Sequence, residues 1–289
     1  MKGEIFISKS KLEATLINAL ISKQAYGESR HQAKAQGTDG DKIFSVKTMD
    51  KYAQVARDFS RYCDSKESGL RRKNQVTKYV DPYLQSLKDK EYSAWTQQTA
   101  RSALTKVLGK DYSSIELDKK ERCTIVRSRM DTENARHFSE ERNEELIHFC
   151  QCTGLRRSEL ESLKPEQMFR ISGDYYLQIK GKGGKERTVS VLGNDKRVVA
   201  KIAQTPKGEH VWGKVHSAAN IHGYRADYAK ALYKKYARPT EKLKKSEKYV
   251  CRKDLRGVVY DKAAMKIVSK NLGHNRIDVI ASNYLYTIE

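Results

Sequence analysis

The chain has 289 residues, enough for two domains with separate hydrophobic cores. Hydrophobic residues make up 38% and charged residues 32% of the sequence, which is typical of a globular protein and excludes a disordered one. The formal net charge of +21 indicates a polyanionic partner, first of all nucleic acid, because lysines and arginines bound to phosphates release condensed counterions. An acidic membrane surface is the less favoured partner, since no basic amphipathic helix with an aromatic face stands out.

The cysteines and the apolar runs bear on location. Five cysteines without paired Cys-x-x-Cys spacing predict reduced thiols inside the cell. Cys150 and Cys152 lie at the end of an apolar run, and their spacing supplies too few ligands for a metal, so buried thiols are expected there. No apolar run reaches the roughly 18 residues of a membrane span, and the N-terminus is broken by charge too soon for a signal peptide. We therefore expect a cytoplasmic protein.

The first 118 residues are predicted to be helical. Apolar residues between Leu12 and Ile21 recur at helical spacing, and a polar, glycine-containing loop follows at 33–41. Three further apolar stripes come after this loop, and a polar, charged segment separates them from the second half of the chain. The predicted boundaries are an N-terminal helical extension at 1–44, a helical domain at 45–118, a linker at 119–137 and a second domain at 138–289.

Basic residues are dense in the helical domain. Such charges usually form a solvated helix face, but their density in so basic a chain favours a DNA-facing surface. The candidate DNA-binding residues are Lys47, Arg71, Arg72, Lys73, Lys78 and Arg101.

The second domain is predicted to combine helices with a small sheet. A helix is interrupted at Thr153-Gly154, and a short helix follows the interruption. Two segments with the residue pattern of β-strands, 175–179 and 186–191, flank a glycine-rich segment, which predicts a β-hairpin. Further helices are predicted at 198–202, at about 217–237 and at the C-terminus.

The C-terminal helix follows a Leu272-Gly273-His274 step. Gly273 suits the left-handed conformation of a helix C-cap, and Asn275 can cap the next helix. Tyr284 is predicted to share the apolar face of that helix. A histidine and a tyrosine at opposite ends of a short helix can meet at one phosphate, as a proton donor and a nucleophile. Taken alone, these residues favour a helix junction with a packed tyrosine.

Three other segments carry polar groups that suit a phosphate site. Arg156 follows the glycine interruption at a helix start, and Glu159 comes one turn later, close enough to hold a guanidinium by two hydrogen bonds. Lys182 lies on the hairpin turn, where glycines on both sides let the backbone approach a ligand. A basic segment with Arg252 and Arg256 precedes the final helices.

These motifs, in this order, resemble the tyrosine recombinase (phage-integrase-like) family. The shared features are Thr-Gly-Leu-Arg with Ser-Glu-Leu, Gly-Lys-Gly-x-Lys-Glu-Arg on a hairpin, and Leu-Gly-His before a tyrosine, over about 140–289. The helical region at 45–108 is similar to the core-binding domain of the family, although less specifically. The resemblance implies a mainly α fold with a small β-sheet, in which a helical, SAM-like core-binding domain precedes an α+β catalytic domain.

The resemblance also implies a site-specific DNA recombinase that cuts and rejoins strands through a 3′-phosphotyrosine. Arg156 would clamp the scissile phosphate with support from Glu159. Lys182 would protonate the leaving 5′ oxygen. His274 would bind the phosphate, and Tyr284 would be the nucleophile. Fixed cations stabilise the charged transition state more than the ground state, and no metal or nucleotide cofactor is required.

The partners implied by the resemblance are double-stranded DNA and other copies of the chain. Four protomers would join two recombination sites, and the source would be a prokaryote or one of its mobile genetic elements. Two rivals give different products. A type IB topoisomerase would relax supercoils as a monomer, and a DNA-binding regulator with an inactive site would bind DNA without covalent attachment.

The second arginine departs from the family pattern. In the family it usually ends a His-x-x-Arg box, often after a leucine, and we interpret this chain as lacking that histidine. Arg256 gives Lys253-Asp254-Leu255-Arg256, which keeps the leucine, and it is the preferred candidate. Arg252 stays open, because Arg256 lies unusually close to His274.

The tyrosine also departs from the pattern. The usual spacing from His274 would place it at Asn283, one residue before Tyr284, so an extra residue is expected in the loop after the histidine. Tyr286 is the competing nucleophile.

The remaining polar residues are predicted to be ordinary. Arg157 and Lys185 are interpreted as surface charges or contacts to the DNA backbone. The other histidines have no ligand-like spacing, and His222 is the least certain because it precedes a basic helix; they are His31, His137, His148, His210, His216 and His222.

Overall fold

The computed structural model describes residues 10–121, 137–181, 184–252 and 255–286. Its helices and strands confirm the predicted class, mainly α with a small antiparallel sheet. The chain divides into two compact units, Met1–Thr124 and Ile125–Glu289, and the division falls inside the predicted linker. Within the described residues, no helix has both the length and the apolar character needed to cross a membrane.

The described part of the first unit consists of helices and loops, with one isolated β-bridge between Gln24 and Ile43. Serines at 10, 45 and 93 accept hydrogen bonds from backbone amides three residues ahead and so fix the starts of three helices. The first helix buries Leu12, Leu16 and Leu20 in the same core as Phe59 and Leu104, because its leucines all lie on one face. The helices are α1 (Lys11–Ile21), α2 (Arg30–Ala35), α3 (Val46–Lys66), α4 (Lys73–Val76), α5 (Val80–Asp89) and α6 (Ala94–Leu108).

The second unit packs helices against a small sheet. Three antiparallel strands lie in the order β1-β2-β3, and β4 and β5 form a separate hairpin. The helices are α7 (Glu144–Thr153), α8 (Arg157–Glu161), α9 (Lys196–Gln204), α10 (Ile221–Tyr236), α11 (Lys262–Leu272) and α12 (Asp278–Ile280). The strands are β1 (Met168–Ile171), β2 (Asp174–Lys180), β3 (Glu186–Ser190), β4 (Lys248–Val250) and β5 (Val259–Asp261).

The predicted hairpin is confirmed as β2 and β3, with Leu177 opposite Val189 in the register. Strand β1 and the β4–β5 hairpin were not predicted. Strand β1 has four residues, and its buried and exposed positions do not alternate, so no period-two pattern marks it. Strands β4 and β5 have three residues each, which is too short for such a pattern.

Helix α10 runs through the core of this unit and packs against α7 and α11. Tyr228 on α10 is fully buried, and its hydroxyl donates to the backbone oxygen of Ser190 at 2.9 Å. Helices α7 and α11 both end at glycines in the left-handed conformation, Gly154 at φ +58° and Gly273 at φ +69°. These ends meet beside the N-terminal half of α10, where the candidate site lies.

The first prediction concerns Gly154. An alanine there would adopt a left-handed conformation, which costs about 1 kcal/mol, and its Cβ would overlap the ring of Tyr228. Gly193→Ala is the matched control, because Gly193 has φ +63° and no atom near the added Cβ. We expect Gly154→Ala to lower the free energy of unfolding by about 3 kcal/mol and Gly193→Ala by about 1 kcal/mol.

Urea denaturation measures this difference. A Trp95→Phe background leaves Trp212 as the remaining tryptophan, so its fluorescence reports the second unit. Equal losses in the two variants would contradict the proposed overlap with Tyr228.

Candidate active site

Glu159 lies at the base of the candidate site and binds two arginines. It is 4% exposed and forms two parallel hydrogen bonds of 2.8 Å with the guanidinium of Arg187. Its carboxylate also accepts from Nη1 of Arg156 at 2.8 Å and from the backbone N–H of Arg156 at 2.7 Å. Burial alone would raise the pKa of Glu159, but these donors lower it to about 2, so the carboxylate is ionised.

Arg225 is the most deeply buried charge of the site, at 2% exposure. Its terminal nitrogens donate to the backbone oxygens of Gly154 and Leu272. The oxygen of Leu272 also accepts from Nη2 of Arg156 at 3.1 Å. These carbonyls belong to the C-terminal ends of α7 and α11, where backbone oxygens lack helical partners and the helix dipole is negative. Two helix ends therefore hold the two arginines together.

Tyr284 contacts this arrangement through its hydroxyl. The hydroxyl accepts from Nε of Arg225 at 3.3 Å and lies 3.1 Å from Nε2 of His274. The guanidinium carbon of Arg225 lies 5.8 Å from the centre of the Tyr284 ring. His274 is itself fixed by Ser269, whose backbone oxygen accepts from the His274 amide at 2.8 Å and whose hydroxyl donates to the His274 oxygen at 2.9 Å. The phenol thus has one cationic donor and one imidazole partner.

The electrostatics of the site favour an anion. Among the described residues, Glu159 is the one carboxylate of the site, and it binds the guanidiniums of Arg156 and Arg187. Arg225 has no carboxylate partner there, which leaves a surplus of positive charge. Burial and then the charge of Arg225 lower the pKa of His274 to about 4. His274 is therefore neutral at pH 7, and its Nε2 can accept the proton of the Tyr284 hydroxyl.

Tyr284 lies in a wide turn at the end of the last helix. Helix α12 continues into a π-helical turn, Ala281–Leu285, and such a turn holds one residue more than an α-helical turn. Asn275 does not cap α12 as predicted, because the helix begins at Asp278 with Ile277 in the N-cap position. The side-chain oxygen of Asn275 accepts from Lys185. Tyr284 is 3% exposed, and Tyr286 is partly exposed just beyond the turn.

The structure brings Arg156, Glu159, His274 and Tyr284 together, as the sequence predicted. Lys182 lies outside the described residues. The preceding residue, Gly181, lies against the ion pair at the base of the site, because a Cβ added there would be 2.9 Å from Arg187 and 3.3 Å from Glu159.

Arg256 lies elsewhere in the second unit. It is exposed in the turn between β4 and β5, and within the described residues no hydrogen bond or ion pair joins it to Arg156, His274 or Tyr284. Arg252 is also exposed and lies next to β4.

Sequence reasoning missed Arg225, Arg187 and His222. His222 and Arg225 have the spacing of the His-x-x-Arg box that the sequence prediction took to be absent, with Tyr224 in place of the expected leucine. His222 is exposed, as expected, but its ring centre lies 5.5 Å from that of Tyr284, so it borders the candidate site. Arg187 shares the inner face of β3 with Val189, because alternate residues of a strand point to the same side. An arginine at an inward-facing position of the strand was the sequence feature that could have revealed it.

The predicted DNA-binding residues of the first unit differ in their environment. Lys47, Arg71, Arg72 and Lys73 are exposed. Lys78 is exposed but forms a 2.7 Å ion pair with Glu67. Nη1 of Arg101 donates to the backbone oxygens of residues 113 and 115 at 3.2 and 3.1 Å, which ties down the segment after α6.

Arg157 in the second unit also has a local function. Its terminal nitrogens donate to four backbone oxygens, those of Val215, His216, Ser217 and Ala219, and so fix the loop before α10.

Comparison with solved structures agrees with this architecture. No family model and no curated protein sequence matches the chain. The XerH site-specific recombinase bound to its palindromic difH substrate in a post-cleavage complex is similar with a TM-score of 0.51 and 16% identity, over 96% of this chain and 91% of XerH. The Tn1549 transposon integrase in complex with circular intermediate DNA gives a TM-score of 0.43 and 13% identity, over 93% of this chain and 94% of the integrase. The chain therefore has the fold of a tyrosine recombinase, on the strength of the XerH match.

The second prediction concerns Glu159. In Glu159→Gln the buried Arg187 loses its counter-ion, and we expect the free energy of unfolding to fall by about 3–5 kcal/mol. The folded-state pKa of Glu159 is lowered, so its contribution is complete above the unfolded pKa of about 4.3 and disappears as the pH falls toward 2.

Urea denaturation between pH 3 and pH 7 tests this prediction. The difference in stability between the wild type and Glu159→Gln should shrink as the pH falls below about 4.3. Glu161→Gln on the same helix is the control, because Glu161 has no ion pair among the described residues. A difference that does not change with pH would count against an ionised Glu159.

Proposed function

We propose that this protein is a site-specific DNA recombinase that cleaves and rejoins DNA strands through a covalent 3′-phosphotyrosine. One observation carries the proposal. The Tyr284 hydroxyl contacts a buried arginine and a neutral histidine inside a cluster of three guanidiniums that holds one carboxylate. Such a cluster suits a phosphodiester, because planar guanidiniums bind two phosphate oxygens at once.

The reaction begins at the phenol. His274 accepts the proton of Tyr284 while Arg225 stabilises the developing phenolate, and the phenolate oxygen attacks phosphorus. The bond from phosphorus to the 5′ oxygen breaks, and that oxygen takes a proton, for which Lys182 is the proposed donor. Attack by a 5′ hydroxyl reverses the step and releases the tyrosine. The phosphotyrosine conserves the energy of the broken bond, so no nucleotide is consumed.

Arg225 is the proposed second phosphate clamp, in place of Arg256. Arg225 and Arg156 donate to the same carbonyl, that of Leu272, and Arg225 also donates to the Tyr284 hydroxyl. Arg256 lies in an exposed turn. His222, three residues before Arg225, is proposed as a further phosphate ligand, since its ring lies beside that of Tyr284. The negative charge that gathers on the phosphate in the transition state strengthens all of these contacts.

The proposed partner is duplex DNA, with four protomers on two recombination sites. The net charge of +21 and the exposed basic residues of the first unit support binding to a polyanion. XerH, which has the same fold, was crystallised with DNA after cleavage.

The third prediction identifies the nucleophile. Because the target site is unknown, the protein is incubated with nicked duplexes of random sequence, and DNA that stays attached after denaturation in detergent is sequenced. We expect the wild type to capture a defined sequence, and Tyr284→Phe to lose the covalent adduct on that sequence because it lacks the attacking oxygen. Tyr286→Phe is the matched control and should retain the adduct.

Each alternative outcome is distinct. An adduct that persists in Tyr284→Phe but disappears in Tyr286→Phe would transfer the role to Tyr286. Binding of a defined sequence without any adduct would indicate a regulator. Relaxation of supercoiled plasmid without recombinant products would indicate a topoisomerase.

The fourth prediction separates the two candidate arginines. On the captured sequence, Arg225→Lys should lower the single-turnover cleavage rate by at least about 100-fold, because lysine cannot supply the planar pair of donors. Arg256→Lys is the control and should leave the rate within about twofold. Circular dichroism checks that both variants are folded. A larger loss in Arg256→Lys than in Arg225→Lys would restore Arg256 as the second arginine.

A further inference from the structure

A second cluster of reactive side chains lies away from the phenol, on the face of α7 that packs against α9. His148 and Cys152 are one turn apart on α7, and Asp195 immediately precedes α9. Nε2 of His148 lies 2.9 Å from a carboxylate oxygen of Asp195 and 3.6 Å from Sγ of Cys152. From the sequence, His148 was predicted to be an ordinary histidine and Cys152 a buried thiol, because their common partner is more than forty residues further along the chain.

The distance between His148 and Cys152 is close to that between two ligands of a tetrahedral zinc ion, whereas the Asp195 oxygen, 2.9 Å from Nε2 of His148, would have to move away to about 3.3 Å. Zinc binds cysteine sulfur at about 2.3 Å and histidine nitrogen at about 2.0–2.1 Å, which places the two ligand atoms about 3.5–3.6 Å apart at the tetrahedral angle. The structure has that separation between Nε2 of His148 and Sγ of Cys152. One ligand atom from each of the three residues lies within 4.8 Å of the others.

We propose that His148, Cys152 and Asp195 bind a zinc ion, with a water molecule in the fourth position. Thiolate, imidazole and carboxylate together are a ligand set that zinc accepts. Access for the ion and the water comes through the side chains of His148 and Asp195, which are each 23% exposed. Cys152 supplies the buried ligand of the site.

Arg197 competes with the metal. Its Nη2 donates to Nδ1 of His148 at 2.8 Å, so the proton of the neutral imidazole lies on Nε2 and is donated to Asp195. When zinc takes Nε2, that proton moves to Nδ1 and Arg197 has to turn away. Arg197 can do so, because its side chain is 60% exposed and already pairs with Glu144 at 3.2 Å. The thiol of Cys152 releases one proton to solvent, and no oxidation or reduction occurs.

The ion would connect two parts of the second unit. Cys152 lies in the last turn of α7, two residues before the carbonyl of Gly154 that binds Arg225. A metal bound to Asp195 would hold this turn against the start of α9. The proposal does not depend on the recombinase function, because it concerns binding and stability only.

The fifth prediction uses Co²⁺ as a spectroscopic substitute for zinc. The full-length protein is reduced, treated with a chelator and titrated with Co²⁺. We expect one equivalent to bind, with the thiolate-to-cobalt charge-transfer absorption and the visible bands of tetrahedral cobalt, and zinc to displace it. Zinc should also raise the melting temperature of the wild type.

Four variants test the ligands. Cys152→Ala should abolish the charge-transfer band and weaken Co²⁺ binding at least about 100-fold, whereas Cys150→Ala, a buried thiol two residues away, should keep both. Asp195→Ser preserves the cap of α9 and should weaken binding at least about tenfold. Arg197→Gln removes the competing cation and should tighten binding, a result that a purely structural His148–Asp195 pair would not give.

Two results would overturn the proposal. One is a folded wild-type protein, by circular dichroism, that gives no charge-transfer band at millimolar Co²⁺. The other is a band that survives Cys152→Ala, because the thiolate would then come from another cysteine of the chain.

Discussion

The site depends on a buried arginine that is held by backbone carbonyls. Arg225 donates to the last carbonyls of two helices, α7 and α11, and no described carboxylate pairs with it. Helix C-termini carry only partial negative charge, so they orient the guanidinium without cancelling it. The neighbouring arginines do have a full counter-ion, because Glu159 binds both Arg187 and Arg156. The result is a cluster of guanidiniums with unneutralised positive charge, which favours an anion.

Helices α7 and α11 can end at the site because each is followed by a glycine in the left-handed conformation. The turn at Gly154 directs the chain to Arg156, and the turn at Gly273 directs it to His274. Side chains at Gly154 would meet Tyr228, and side chains at Gly273 would meet Arg187, so the same glycines also permit the close packing of α10 and β3. Local backbone geometry thereby brings residues more than one hundred positions apart to one point.

Local patterns predicted much of this unit, and long-range contacts account for what they missed. The hairpin, the glycine ends, and the grouping of Arg156, Glu159, His274 and Tyr284 followed from spacing and from the family resemblance. Arg225 was missed because Tyr224 occupies the place of the expected leucine in the His-x-x-Arg box. Capping by Asn275 was wrong because α12 begins later than predicted, at Asp278, and Asn275 instead accepts from Lys185, ninety residues earlier in the chain. Short-range propensity does not contain such competition from distant residues.

The π-helical turn at Ala281–Leu285 has a consequence for how this chain compares with others of the same fold. An inserted residue in an α-helix rotates everything beyond it by about 100°, unless a wider turn absorbs it locally. The π-helical turn has room for one residue more than an α-helical turn. The phenol oxygen of Tyr284 lies beside the imidazole of His274, although the sequence between them is one position longer than expected. Tyrosines in other proteins of this fold should therefore be compared with Tyr284 by superposing the helices, since the expected spacing from His274 selects Asn283.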